Sequence, residues 1–290
     1  QHGAYGPPVA SPHLAFARMI GLVTYAKAPN LTDDDRPLLA ELKVVGLEAV
    51  AVRWDHAAAR WSDFETLVLR SPWDYHLRAE EFRAWLDRIE KAGVQLWNPY
   101  SVVRWNMHKS YLLELARDGA IVVPTRIAPR SSGVTLEEIL ADWADDAIVK
   151  PAMSPSATDT WRTRRDAASD ARRFSELNSR TDVLVQPVVR EVLEQGEWSI
   201  LFIDGAFSHS VLKRPKAGDF RVQTELGGSA VPTTAPAAVV RAAEEILAMT
   251  PEPCLFARID GVVTQRGFTL MEVEAIEPLL FFDFHPEARR

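Results

Sequence analysis

Cysteine is the scarcest resource in this sequence. Cys254 is the only one in 290 residues, so the chain can form neither an internal disulfide nor a multi-thiolate metal site. It stands in the apolar run Cys254-Leu255-Phe256, where a core thiol is expected rather than a nucleophile. A chain that uses no disulfides suits the cytoplasm. No apolar stretch reaches the length of about 18 residues that a membrane-spanning helix needs, so no membrane partner is expected. The first residues do not read as a secretory signal either. Residues 1–18 carry Pro7, Pro8 and Pro12 but no basic start and no long apolar run, and they read as an extension or expression remnant. Positive charge is in deficit: 33 Lys and Arg face 40 Asp and Glu, a net charge of −7. Such a surface repels a phosphate backbone, which argues against nucleic acid as a partner, yet a local basic cluster can still hold a small phosphate ligand. No G-x-G-x-x-G follows the first apolar run, so a dinucleotide-binding oxidoreductase has no support. Internal repeats and low-complexity tracts are absent.

What is present is a change of pattern along the chain. In the first third, short β-branched runs at 20–25, 49–52, 66–70 and 94–97 alternate with helical spacing at 33–45 and 80–92. The second helix carries Phe82, Trp85, Leu86 and Ile89 on one face and meets a stop at Gly93. This alternation predicts a parallel α/β layer over 19–108. The middle third reads as helices at 109–117, 135–143 (capped by Ser132 or Thr135) and 166–178, with strands at 147–150 and 183–186. Between them, 153–165 is rich in Ser and Thr and reads as a mobile loop. The last third is mostly strand. Segments 197–203 and 206–212 flank Asp204-Gly205, a strong hairpin signal. A charged loop over 213–228 and a helix over 236–249 follow. A second hairpin, 255–263 with 268–273, turns at Gln265-Arg266-Gly267.

Chemistry concentrates on that last hairpin. Alternate residues of a strand share a face, so Arg258 and Asp260 point one way, as do Glu272 and Glu274, while Ile259, Met271 and Val273 face a core. Three carboxylates brought together repel one another unless cations intervene. Oxygen donors without His or Cys favour Mg²⁺. A solvated strand face with a salt bridge accounts for the spacing equally well. Other features favour the ligand site. Lys150 closes the strand IVKP, and Lys109 opens a helix. Lys213, Arg214, Lys216 and Arg221, followed by Gly227-Gly228, form the one basic loop of an acidic chain and could clamp a phosphate. After the first-domain strands come Tyr25, Lys27, Ser71, Trp73, Asp74 and Tyr75, where open α/β layers place ligands, and Asp74 is suited to a substrate amine. His76 and His209 could move a proton, although a lone histidine is more often structural.

Lys109, then IVKP with Lys150, LVQPVV at 184–189, GEW at 196–198, ARID at 257–260 and MEVEAIEP at 271–278 together resemble the ATP-grasp superfamily, in its glutathione-synthetase-like branch. More narrowly, VTYAKAPNLTDDD, LRSPWDYH, FSHSVLKRP and GDFRVQ are similar to the O-ureido-serine cyclo-ligases of D-cycloserine biosynthesis. The resemblance implies an ATP-grasp fold, two α+β sub-domains clasping ATP after a smaller parallel α/β domain. Its bounds would be 19–108 for the first domain, 109–187 for the lid sub-domain and 188–290 for the sub-domain with the metal site. It implies that Lys109, Lys150 and Ser156 hold ATP phosphates, that Gln186, Pro187, Val188 and Val189 line the adenine slot, and that Glu197 accepts the ribose hydroxyls. Asp260, Glu272 and Glu274 would hold two Mg²⁺, with Arg258, Arg221 and Lys213 as catalytic cations. Tyr25, Lys27, Ser71, Asp74, Tyr75, Gly227 and Gly228 would meet a small amino-acid-like substrate. Two departures stand out: Glu274 replaces a more usual asparagine, and the 153–161 loop, glycine-rich in many relatives, has no glycine.

The implied reaction is ATP-dependent phosphorylation of a carboxylate to an acyl phosphate, then attack by a nitrogen nucleophile. In a cyclo-ligase that nitrogen belongs to the same molecule. The alternatives are an intermolecular carboxylate–amine or dipeptide ligase, a kinase of similar fold, and a non-catalytic nucleotide-binding module. A homodimer is the default expectation for a chain of this kind.

Overall fold

The computed structural model describes residues 19–141, 143, 146–154, 159–165 and 167–289; the expected extension over 1–18 lies outside them. The first layer is built from β1 (Met19–Thr24), β2 (Glu48–Arg53), β3 (Phe64–Leu69) and β4 (Gln95–Trp97), all parallel in the order β2-β1-β3-β4. Helices α1 (Pro37–Val44) and α2 (Ala79–Lys91) make the crossovers. The α2 stripe Phe82, Trp85, Leu86 and Ile89 is fully buried beside Trp54, Leu67 and Leu69. Gly93 then takes φ +72°, the left-handed value that ends a helix. Two short helices follow, α3 (Tyr100–Asn106), which the sequence reading missed, and α4 (Tyr111–Arg117).

The middle sheet has the order β5-β8-β6-β7 and is antiparallel throughout: β5 (Arg126–Ala128), β6 (Asp146–Pro151), β7 (Trp161–Arg164) and β8 (Val183–Pro187). Helices α5 (Leu136–Leu140) and α6 (Ala168–Asn178) pack on it through Leu136, Ile139, Leu140, Phe174 and Leu177. Strand β7 corrects the reading of 153–165 as loop throughout. Its polar composition hid a period of two: Trp161 and Thr163 are buried, while Arg162 and Arg164 reach Asp146 on β6 at 2.5 and 3.0 Å. Thr135 caps α5. Its hydroxyl accepts the Glu138 N–H, and the Glu138 carboxylate accepts the Thr135 N–H at 2.7 Å. Thr135→Ala should lower stability by about 1 kcal/mol in urea unfolding, the usual loss for a side-chain cap; an unchanged midpoint would mean that the box contributes nothing in solution.

After α7 (Arg190–Glu194) comes the largest sheet, antiparallel, in the order β11-β10-β9-β12-β13. Its strands are β9 (Glu197–Ile203), β10 (Ala206–Arg214), β11 (Ser229–Pro232), β12 (Phe256–Thr264) and β13 (Gly267–Glu274), with α8 (Ala237–Leu247) between β11 and β12. Asp204 and Gly205 both take positive φ, 49° and 73°, as a two-residue hairpin requires. Tyr111, Leu112 and Leu115 of α4 and Val122 share a core with Ile200, Ile259 and Val273. Residues 111–123 therefore pack on the last sheet, although chain order groups them with the middle one.

Residues 275–282, just after β13, are stitched to the first layer. Asn98 Nδ2 donates to the carbonyls of Phe256 and Ala275 at 2.8 and 2.7 Å. The Asp34 carboxylate accepts the N–H groups of Leu280 and Phe282. Arg70, held by Asp35 in a buried pair at 2.8 Å, donates to the Pro278 carbonyl. Trp73 Nε1 donates to the Glu277 carbonyl at 3.1 Å. These bonds fix the ends of β1 and β3 against the charged end of the last hairpin.

Candidate active site

The register of β12 and β13 pairs Arg258 with Glu274 and Asp260 with Glu272, so the alternation brings all four to one face. Asn106 and Tyr111 hold this edge in place. Asn106 Nδ2 donates to the Val273 carbonyl and its Oδ1 accepts the Ala275 N–H, while the Tyr111 hydroxyl donates to the Val273 carbonyl and accepts its N–H. Met271 departs from expectation. The register slips between Asp260 and Gly261, leaving Met271 as the extra residue of a bulge. Instead of entering the core beside Ile259, it packs with Val192, Val222 and Val262 and lines the cavity described below.

Arg258 spans the array. Its Nε and Nη2 donate to the Asp260 oxygens at 3.0 Å each, Nη2 also pairs with Glu274, and Nη1 donates to the Leu279 carbonyl. Lys213, cross-strand from Glu197, places Nζ 2.5 Å from Glu197 Oε1 and 2.8 Å from Asp260 Oδ2. Ser199 donates to Asp260 at 2.7 Å. Lys109 Nζ lies 2.9 Å from Glu272 and donates to the Ser154 carbonyl at 2.7 Å.

Burial opposes every charge here, and the partners decide which survive. It pushes Asp260 up, but Arg258 and Lys213 overcome it and hold this carboxyl well below the usual range. Glu272 is lowered in the same way: burial is outweighed by Lys109 and Lys150. At Glu274 burial prevails over Arg258 and, with Asp260 and Glu272 close by, pushes the carboxyl up to about 7. Burial also raises Glu197 despite Lys213. Lys150 is lowered, by burial first, with Glu272 opposing. It has no ion-pair partner among the described residues.

These groups surround one cavity of about 500 Å³. Lys109, Lys150, Gln186, Pro187, Val188, Val189, Glu197, Lys213, Arg221, Arg258, Asp260, Glu272 and Glu274 all line it, while Ser156 lies outside the described residues. Some of their atoms are already engaged. The Val188 N–H donates to the Asp146 carbonyl, the Gln186 amide donates to Thr125, and Asp219 grips the Arg221 guanidinium at 2.9 and 3.0 Å.

The expected substrate residues divide. Tyr75 lines the main cavity, and Lys27 lines a neighbouring one of about 680 Å³. Tyr25, Ser71, Asp74, Gly227 and Gly228 line neither. Asp74, expected to meet a substrate amine, instead accepts Trp54 Nε1 and Arg78 Nη2, each at 2.8 Å. Ser71 is fully buried, 3.1 Å from the Thr24 hydroxyl. Gly228 serves close backbone packing, since a Cβ there would lie 2.2 Å from the Val222 carbonyl oxygen. His209 is buried with Nε2 2.9 Å from the Leu280 carbonyl. Cys254 is a core thiol as expected, pushed up to about 11 by burial. Three residues without an assigned role also line the cavity or support it: Glu277, Asn106 and Tyr111. A signal for Asn106 was there, one amide among the buried apolar residues of α3; Glu277 lies inside the MEVEAIEP segment at 271–278.

Comparison with known proteins converges on one group. A family model described as the N-terminal domain of the D-cycloserine synthetase DcsG matches residues 20–98. The cycloserine biosynthesis protein DcsG of Streptomyces lavendulae is 34% identical over 201 residues, covering 67% of each chain. The chain belongs to the D-cycloserine synthetase family. The crystal structure of the D-cycloserine synthetase DcsG superposes with a TM-score of 0.82 at 29% identity, covering 92% of this chain and 94% of that one. A D-alanine–D-alanine ligase from Bacillus anthracis, complexed with ATP, gives a TM-score of 0.65 at 14% identity over 90% and 87% of the chains, a likeness of fold. This D-cycloserine synthetase family member thus has the ATP-grasp fold, with its first layer leading into two further sheets. Among its described residues no three His, Cys, Asp or Glu side chains form a ready metal cage. Mg²⁺ does not require one, since it commonly takes one or two carboxylates with phosphate oxygens and water. The donor set fits that habit: Glu272 and Glu274 supply hard oxygens, and a cation would relieve the cost that burial first, then Asp260 and Glu272, puts on the Glu274 charge. Among the described residues no helix is long and apolar enough to cross a membrane.

Proposed function

We propose that this D-cycloserine synthetase family ligase phosphorylates the carboxylate of an O-ureido-serine-type amino acid and closes its ring. The observation that carries this reading is the single cavity in which Arg258, Asp260, Glu272 and Glu274 meet Lys109, Lys150 and Lys213. Phosphoryl transfer needs positioning and charge neutralisation more than a protein nucleophile, and the array offers both. Lys109 and Lys150 hold the ATP phosphates; Lys150 is the group with a charge to spare. Pro187, Val188 and Val189 border the adenine beside Gln186, and Glu197 meets the ribose. Lys213 and Arg258 face the transferring phosphoryl group, with Arg221 joining them from the rim once it leaves Asp219. Glu272, Glu274 and Asp260 would hold two Mg²⁺, which when bound neutralise phosphate charge. A carboxylate oxygen of the substrate attacks the γ-phosphorus, and ADP leaves. The ureido nitrogen bonded to oxygen then attacks the acyl carbon, loses its proton and expels phosphate; the carbamoyl group it still carries leaves by hydrolysis as ammonia and carbon dioxide. Because the attacking nitrogen belongs to the same molecule, proximity supplies much of the rate. A lid expected over 153–161 would exclude water from the intermediate; residues 155–158 of it lie outside the described residues.

Hydroxylamine tests the intermediate. With Mg-ATP and the amino acid present, it should divert turnover to a hydroxamate while ADP release continues. ADP release without hydroxamate at any hydroxylamine concentration would contradict an acyl phosphate. Lys150→Met should raise the KM for ATP roughly 10–100-fold, the worth of one hydrogen bond to a charged group. An unchanged KM for ATP would remove Lys150 from phosphate binding.

A further inference from the structure

Glu277 is the acidic residue in the cavity without a cation. Asp260 has Arg258 and Lys213, Glu272 has Lys109, Glu274 has Arg258 and Glu197 has Lys213. Glu277 makes no side-chain hydrogen bond or ion pair among the described residues, yet it lines the cavity together with Trp73 and Tyr75. Its backbone is not free to move. Trp73 Nε1 holds the Glu277 carbonyl, Arg70 holds that of Pro278, and Asp34 holds the Leu280 N–H. Three residues beyond Glu274, it stands between the carboxylate array and the aromatic residues that follow β3. A carboxylate in such a place is unstable as it stands: burial, then Glu274, disfavours its charge, with Lys109 opposing. A cation entering the cavity beside Glu277 would offset that cost and keep it ionised, and an aromatic surround beside a carboxylate suits a primary ammonium.

We infer that Glu277 receives the α-ammonium group of the amino-acid substrate, beside Trp73 and Tyr75, and so sets the position of the neighbouring carboxylate for phosphorylation. This rests on the proposed reading of the cavity as an amino-acid-activating site. It replaces Asp74, whose oxygens are already taken by Trp54 and Arg78. An α-carboxylate lies two bonds from its ammonium nitrogen through one carbon, so a receptor a short step from Glu274 places the reacting oxygen near the phosphate site. Glu277 thereby selects α-amino acids over simple carboxylic acids.

The test compares O-ureido-D-serine with its analogue lacking the α-amino group, in wild type, Glu277→Gln and Glu277→Asp, each followed by ADP release. Wild type should favour the amino acid over the analogue by roughly 10–100-fold in kcat/KM, the loss expected for one charge-assisted bond. In Glu277→Gln the KM for the amino acid should rise by a similar factor, the preference should fall towards unity, and the KM values for ATP and Mg²⁺ should stay within about twofold. Glu277→Asp, which keeps the charge, should fall between the two. Wild type using both compounds equally would overturn the inference without any variant. So would a Glu277→Gln enzyme that keeps the preference, or one whose Mg²⁺ requirement rises while its amino-acid KM does not. Wild type releasing no ADP with any amino acid would overturn the proposed reaction itself.

Discussion

Asp260→Ala should lower the stability of this protein by about 3–5 kcal/mol, because it leaves buried cations uncompensated. Asp260 is 3% exposed and accepts bonds from Ser199, Lys213 and Arg258. Without it, among the described residues Lys213 keeps Glu197, and Arg258 keeps Glu274, the Leu279 carbonyl and the face of Phe281. Urea unfolding gives the size of the effect, and its pH dependence gives the cause. The folded pKa of Asp260 is depressed, so its contribution is present above the unfolded value near 4 and fades as pH falls towards the folded one. The gap between wild type and variant should be largest near pH 5, narrow towards pH 8 as Glu274, which Asp260 helps to push up to about 7, ionises, and close below about pH 4. A gap of less than about 1 kcal/mol, or one that widens below about pH 4, would show that the ion array is solvated rather than buried. Turnover should be lost as well, since Lys213 and Arg258 would no longer be held at one point.

Glu272→Gln is expected to reduce ATP turnover by roughly 10²–10³-fold, the effect of removing one preorganised electrostatic group. The substitution keeps the shape of the side chain and leaves Lys109 its Ser154 carbonyl, so the fold should survive. Two consequences should appear together. The Mg²⁺ concentration needed for half-maximal rate should rise, and Lys109 should lose the partner that fixes it at 2.9 Å. Turnover within about threefold of wild type at all Mg²⁺ concentrations would remove Glu272 from the phosphate site, whatever the fate of the rest of the account.

Strong local rules made parts of this protein legible in its sequence. The stripe on α2, the Asp204-Gly205 turn and the alternation of Arg258 with Asp260 each follow from one period or one backbone preference, and each is found where expected. Some short elements were not legible, although the three-residue β4 was. Strand β5 has three residues, and α7 has five, too few for a period to emerge; β7 was masked by its Ser- and Thr-rich approach. The bulge that turns Met271 towards the cavity is a register event, and register depends on the partner strand. The charged residues of the cavity could be listed from the sequence by strand alternation for Arg258, Asp260, Glu272 and Glu274, and for Glu197 by resemblance to the ATP-grasp superfamily. Its substrate side could not. Asp74 and Glu277 are both acidic and both near aromatics, and only the positions of Trp54 and Arg78 tell which carboxylate is already satisfied. Tyr111 and Asn106 escaped notice for the same reason, since their task is to grip the backbone of a strand more than 160 residues away in sequence.

The measurement that bears most directly on the account is the stoichiometry of ADP release with a single amino acid. O-ureido-D-serine and Mg-ATP, with no other amine present, should yield one ADP and one phosphate for each ring closed, and added amino acids should not increase the rate. ADP release that requires a second, separate amine would instead make this protein an intermolecular ligase and contradict the cyclisation at the centre of the account.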